Sequence, residues 1–178
     1  MHIDDLPGEL IMWVLIVSEL LVFGAGISAM AVMRLFDPEG FAAAQAHLAS
    51  GLAAFNTLAL VTSGLCAALA QRAARAGKVA SARRWLLFAC LGGAVFLAVK
   101  LAEYAAHHRA GIGIDSGDFF VFYYLLTGFH AAHVVAGIVL LLAVAWHARP
   151  QPVEAGVAFW HMVDLVWVLI LPPLYLIG

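Results

Sequence analysis

The sequence predicts an all-α, polytopic membrane bundle of five transmembrane helices. Three observations carry this. The chain has 178 residues, 65% of them hydrophobic and only 11% charged. Its mean hydropathy is +0.98, outside the range of soluble domains. Its apolar residues gather into separate runs, each matching the roughly 20 residues that cross a bilayer core. Backbone groups in lipid must be paired within their own segment, so each run is expected to be helical.

The predicted spans cover about 9–33, 51–74, 84–107, 119–147 and 155–177, forming one membrane domain over 1–178. The N-terminal "MHIDDLPGEL" lacks a basic n-region, and the apolar run after it is longer than a signal-peptide core. It therefore reads as a retained first span. "LFDPEG" ends that span, with Asp37 as an N-cap and Pro38 at a first helical position. Residues 38–50 then form either a short interfacial helix or an outward extension of the second span. "GIGIDSGD" is a glycine-rich loop, with Asp118 the expected N-cap of the fourth span. "ARPQP" closes the fourth span with Pro150 and Pro152. Cys66 and Cys90 lie within apolar runs and read as small core residues.

Orientation follows from the basic residues. The loop "QRAARAGKVASARRW" holds Arg72, Arg75, Lys78, Arg83 and Arg84, out of nine Lys and Arg in the chain. It is therefore expected on the cytoplasmic side, with the N-terminus inside and the C-terminus outside. The cluster lacks interleaved aromatics and lies between two spans, so it does not point to nucleic acid.

Ionisable groups inside a membrane cost about 2.5–3.5 kcal/mol on insertion scales and mark candidate sites. Here they are Glu19, Asn56, Ser63, Lys100, Glu103, Thr127, His130, His133, His161 and Asp164, counting the neutral polar residues beside them. At 1.5 Å of rise per residue, Glu19, Ser63, His130, His133 and Asp164 fall near the midplane. Thr127, His130 and His133 step by three and share a helix face, as do His161 and Asp164. Asn56 and Ser63 are two turns apart. Lys100, Glu103 and His107 form a stripe nearer the outer surface, where the first two are spaced for an ion pair. The expected arrangement is a shared interior in which carboxylates meet imidazoles or hydroxyls, and His161 and Asp164 face protein rather than lipid. Gly24 with Ser28, Gly64 with Ala68, and Gly92, Gly93, Gly128 and Gly137 would permit close helix approach.

Four readings of these groups stand side by side. They are a structural polar network, a proton or lipid role for Glu19, haem ligation by a pair such as His130 and His161, and a zinc or copper site. The spacings favour the first. Haem ligation needs histidines facing one another across helices. No cluster has a convincing zinc or copper spacing. Trp160 and Trp167 flank the His–Asp pair and are expected to pack on another helix or subunit.

"FLAVKLAEY", "DFFVFYYLLTGFHAAHVVAGIVLL" and "AFWHMVDLVWVLI" together resemble subunit III of the haem–copper oxidase superfamily. "WVLIVSELLVFGAGISA" resembles the helix of that subunit with a buried glutamate, and "FNTLALVTSGLCAAL" the helix after it. The match begins at the family's third helix. Within the family, Lys100 in "KLAEY" and the run "DFFVFYYLLTGFH" look most like the accessory protein of nitric oxide reductase, NorE. Subunit III of a terminal cytochrome or quinol oxidase is the alternative. The resemblance implies a non-catalytic accessory subunit of a bacterial inner-membrane respiratory complex. It would bind no haem or metal itself and would associate with phospholipid and a catalytic subunit carrying both. Glu19 matches the family's carbodiimide-reactive carboxylate, while Glu103, His130, His133, His161 and Asp164 match motif positions that are mainly structural. A small proton-coupled transporter is a further alternative, although no internal repeat or broken helix supports it. A free-standing cytochrome is another.

Overall fold

A computed structural model describes residues 10–176. Among these, six α-helices and no strands are found: α1 (Leu10–Phe36), α2 (Pro38–Gln45), α3 (Ser50–Arg75), α4 (Val79–Arg109), α5 (Asp118–His147) and α6 (Pro150–Leu171). A π-helical turn, Pro172–Leu176, follows α6. All but α2 are long and apolar enough to cross a membrane, as the composition requires. At 31 residues, α4 is about 46 Å long, well beyond a hydrocarbon core of about 30 Å. It begins at Val79 rather than near 84, carrying Arg83 and Arg84 on its first turns, and Arg83 donates to Ala145 O and Trp146 O of α5.

Local chemistry sets the breaks. Asp37 Oδ1 accepts from the Gly40 amide at 3.0 Å, and Pro38 takes the first turn. Residues 38–45 are therefore a separate short helix and not an extension of the next span. Its Phe41 is buried edge-on against Phe119 of α5, at 5.6 Å between ring centroids. Both ends of α4 border glycines in the left-handed region. Gly77 has φ 70° and Gly111 has φ 73°. The reversals bring the Lys78 amide onto Ala73 O and the Ile112 amide onto His107 O, both at 2.9 Å, closing α3 and α4 with paired carbonyls. At the start of α5 the expectation is corrected by one residue. Gly117 is the N-cap, and Asp118 lies in the first turn, where its charge favours the helix dipole. Pro150 does not merely close the fourth span: it opens α6, after Ala148 turns the chain at φ 49°.

Helices α3 and α4 pair along their lengths, and α6 packs against α3 and α5 to complete the core. Helix α1 leans on α5 and α6 with a largely exposed outer face. Small residues allow this packing where large side chains enter. The fully buried Trp160 indole lies so close to Gly93 and Gly137 that an added Cβ would come within 2.5 Å of Cη2 and 2.6 Å of Cε3, respectively. Gly92 meets Ser63 in the same way. Gly24, by contrast, faces open space, and Ser28 donates its hydroxyl back to Gly24 O at 2.8 Å.

Candidate functional site

The intramembrane polar residues form separate sets, each joining particular helices. The most enclosed lies in the half of the bundle away from the basic loop. Lys100 is 1% exposed, and its three N–H groups are all engaged: Glu103 Oε2 at 2.9 Å, Tyr175 Oη at 2.6 Å and Tyr123 Oη at 3.2 Å. Tyr175 in turn donates to Glu103 Oε1 at 3.0 Å. The ammonium also lies 4.9–5.7 Å from the ring centroids of Tyr104, Tyr123, Trp167 and Tyr175. A buried charge tolerates such a site because every proton has an acceptor and aromatic faces supply the remaining shell. The set ties α4 and α5 to the π turn. Gln45 of α2 reinforces that turn by donating to Pro173 O and Leu174 O. Tyr104 and Thr127 share a hydroxyl contact at 2.6 Å beside it. His107 continues the stripe, with its ring against Phe120 and Tyr123.

A second set stitches α3 to its neighbours. Asn56 Nδ2 donates to Phe96 O at 3.3 Å, and Ser63 Oγ to Ala89 O at 2.6 Å. Ser63 Oγ also accepts from Trp160 Nε1 at 3.0 Å, and Thr57 Oγ1 from Trp167 Nε1 at 2.9 Å. Both tryptophans thus pack within this chain, and each places its polar edge on α3.

A third set lies between α1 and α5. His133 Nδ1 donates to Phe129 O at 2.8 Å, so that nitrogen carries a hydrogen. Nε2 then faces Glu19 Oε2 at 3.0 Å. The alignment is poor for a hydrogen bond, and the contact is mainly electrostatic. The Glu19 side chain is 22% exposed, so it lies at the edge of the bundle rather than in a common interior.

The histidines do not converge. His130 is fully buried, and its Nε2 donates to Val163 O at 3.1 Å, joining α5 to α6. His161 lies on the other side of α6, 46% exposed, with Nδ1 3.6 Å from Asp164 Oδ2. The expectation that His161 faces protein is therefore corrected. Buried Trp160, Val163, Val166, Trp167 and Ile170 define the core face of α6, and at about 100° per residue His161 falls nearly opposite it. Asp164 is 14% exposed and lies over Gly64, where any β-carbon would collide with the carboxylate. A paired His130–His161 haem site would need both rings turned into one space, and His130 is already committed to a backbone carbonyl. Among the described residues, no group of three or more His, Cys, Asp or Glu is arranged to hold a metal ion.

Sequence patterns missed Tyr175, Tyr123 and Gln45 as members of the Lys100 set. The signal available for Tyr175 was a lone hydroxyl in the apolar "LPPLYLIG". Tertiary folding alone brings it 75 positions back along the chain to Lys100.

Comparison with known proteins matches residues 9–178 to the family model described as Cytochrome c oxidase subunit III. Cytochrome c oxidase subunit 3 of Thermostichus vulcanus is 32% identical over 177 residues, covering 92% of this chain and 84% of the relative. The same-named protein of Corynebacterium diphtheriae is 32% identical over 176 residues, covering 92% and 85%. A protein of Aeropyrum pernix named Heme-copper oxidase subunit I+III is 30% identical over 182 residues, covering 93% of this chain and 22% of the relative. These names favour the terminal-oxidase alternative over the nitric-oxide-reductase branch suggested by Lys100. With five apolar helices and a match across nearly its whole length, the chain belongs to the haem–copper oxidase subunit III family.

Proposed function

We propose that this chain is the accessory subunit III of a terminal haem–copper oxidase in a bacterial inner membrane. It would bind the haem-bearing catalytic subunit laterally and support its stability and sustained turnover, with the basic loop on the cytoplasmic side. The observation that carries this reading is the family match over residues 9–178, together with relatives named as oxidase subunits. The use of the polar residues agrees with a scaffold. Lys100, Glu103, Asn56, Ser63, Thr127 and His130 hold helices together through bonds within the chain. Glu19, paired with His133 at the bundle edge, is the candidate for a proton or lipid role.

The test is recovery of the tagged chain from its native membrane in mild detergent. A haem-bearing membrane subunit that reduces oxygen should accompany it, giving a reduced-minus-oxidised haem spectrum. Recovery without any haem-bearing subunit refutes the accessory role. A partner that reduces nitric oxide instead of oxygen establishes the second reading, which rests on Lys100 and "DFFVFYYLLTGFH".

A further inference from the structure

His161 is the most exposed of the ionisable residues deep within the spans, and its depth makes that exposure costly. Arg75 Nη2 meets Glu154 Oε1 at 2.9 Å, which marks the headgroup level on the basic side. His161 follows Glu154 by seven positions on the same helix and Asp164 by ten, placing them about 10 Å and 15 Å deeper. In a core about 30 Å thick, both lie at the depth of the acyl chains. His161 Nδ1 lies on the Asp164 side, 3.6 Å from Oδ2, which leaves Nε2 turned outward. Among the described residues Nε2 has no hydrogen-bonding partner, and hydrocarbon offers none.

The imidazole opens into a groove of about 270 Å³ between α1 and α6, walled by Met12, Trp13, Ile16, Met162 and Leu165. Through Trp13 the groove continues onto the exposed face of α1 at Val14, Val17 and Leu21. The result is a long, mostly apolar strip in which the Ser18 hydroxyl is satisfied by Leu15 O and the His161 imidazole is not. A second and larger groove, about 610 Å³ between α3 and α4, differs in this respect. Its polar lining is limited to hydroxyls and a thiol: Ser63 is engaged by Ala89 O and Trp160 Nε1, and neither Thr62 nor Cys66 presents an imidazole to the groove.

We infer that the α1–α6 groove seats a transmembrane helix of the haem-bearing subunit, which presents one hydrogen-bonding side chain to His161 Nε2 within an apolar strip. The inference rests on the accessory-subunit reading and adds to it the docking face and the chemistry of the contact. A lipid tail fits the apolar walls but leaves the imidazole unpaired. A polar side chain on a packed helix satisfies both.

The test uses the native complex. A photoreactive phenylalanine analogue replaces Leu165 in the groove or, separately, Phe88 in the α3–α4 groove. Irradiation should join the Leu165 position, and not the Phe88 position, to the haem-bearing subunit. In parallel, H161L should shorten the half-time of subunit loss in detergent by about three- to ten-fold, the range expected for one interhelical hydrogen bond. H161Q, which keeps a polar group near the position of Nε2, should restore part of it. Membrane abundance and protease resistance of the chain itself should not fall in H161L, because leucine suits the bilayer better than histidine. A purely structural histidine would lower both. Adducts from Leu165 to lipid or to this chain alone, adducts to the haem-bearing subunit from Phe88 alone, or an unchanged loss rate in H161L would each overturn the docking face while leaving the accessory role intact. Absence of any haem-bearing subunit from the purified material would overturn both.

Discussion

Replacing Lys100 with methionine probes the most enclosed charge in the bundle. Methionine keeps much of the stem's volume but removes an ammonium that reaches Glu103, Tyr175 and Tyr123 at 2.9, 2.6 and 3.2 Å. Glu103, 5% exposed, would then retain only the Tyr175 hydroxyl as a partner. Leaving one member of a buried ion pair uncompensated costs about 3–5 kcal/mol, which lowers the folded-to-unfolded ratio by two to four orders of magnitude. Removing both charges differs in kind. In K100M/E103L no charge remains buried, and the loss reduces to the freed tyrosine hydroxyls, at about 1 kcal/mol each. The double variant should therefore be more stable than the single one. Unfolding in mixed detergent micelles, followed by helical circular dichroism with increasing dodecyl sulfate, measures both. A K100M loss below about 1 kcal/mol, or a double variant no more stable than K100M, would show that the charges are hydrated or neutral and that the enclosed ion pair has been misjudged.

Two further substitutions follow from close contacts. Gly137→Ala places a methyl 2.6 Å from Trp160 Cε3, and Gly93 restricts the same indole elsewhere on its ring, so the side chain has little room to retreat. A destabilisation of about 1–3 kcal/mol is expected in the same unfolding assay, with altered tryptophan fluorescence. Glu19→Gln offers His133 Nε2 an amide donor and should cost less than Glu19→Leu, which leaves the imidazole without a polar neighbour and should cost about 1–3 kcal/mol. Equal effects of the two would indicate that the Glu19–His133 contact contributes nothing to holding α1.

Five spans, their approximate ends and the Asp37 cap were legible because each depends on neighbours in sequence: apolar length, turn chemistry and a side chain that reaches three residues on. The same holds for the Lys100–Glu103 pair, which helical spacing places within reach. What eluded sequence was the direction of each polar stripe. His161 and Trp160 are adjacent, yet one lies on the outer surface and the other fills the core, because Gly93 and Gly137 on other helices leave room for the indole. The expected common interior resolved into distinct sets for a related reason. A buried hydrogen-bonding group takes the nearest acceptor, and for His130 and Asn56 that was a backbone carbonyl on a facing helix.

By itself, then, the sequence determined a membrane-spanning helical chain, because hydrocarbon forces backbone pairing within every apolar run of sufficient length. Tertiary structure alone decided which polar groups find partners inside and which is left facing outward. Helix rotation is set by side-chain fit between segments distant in sequence, and no single segment encodes that fit.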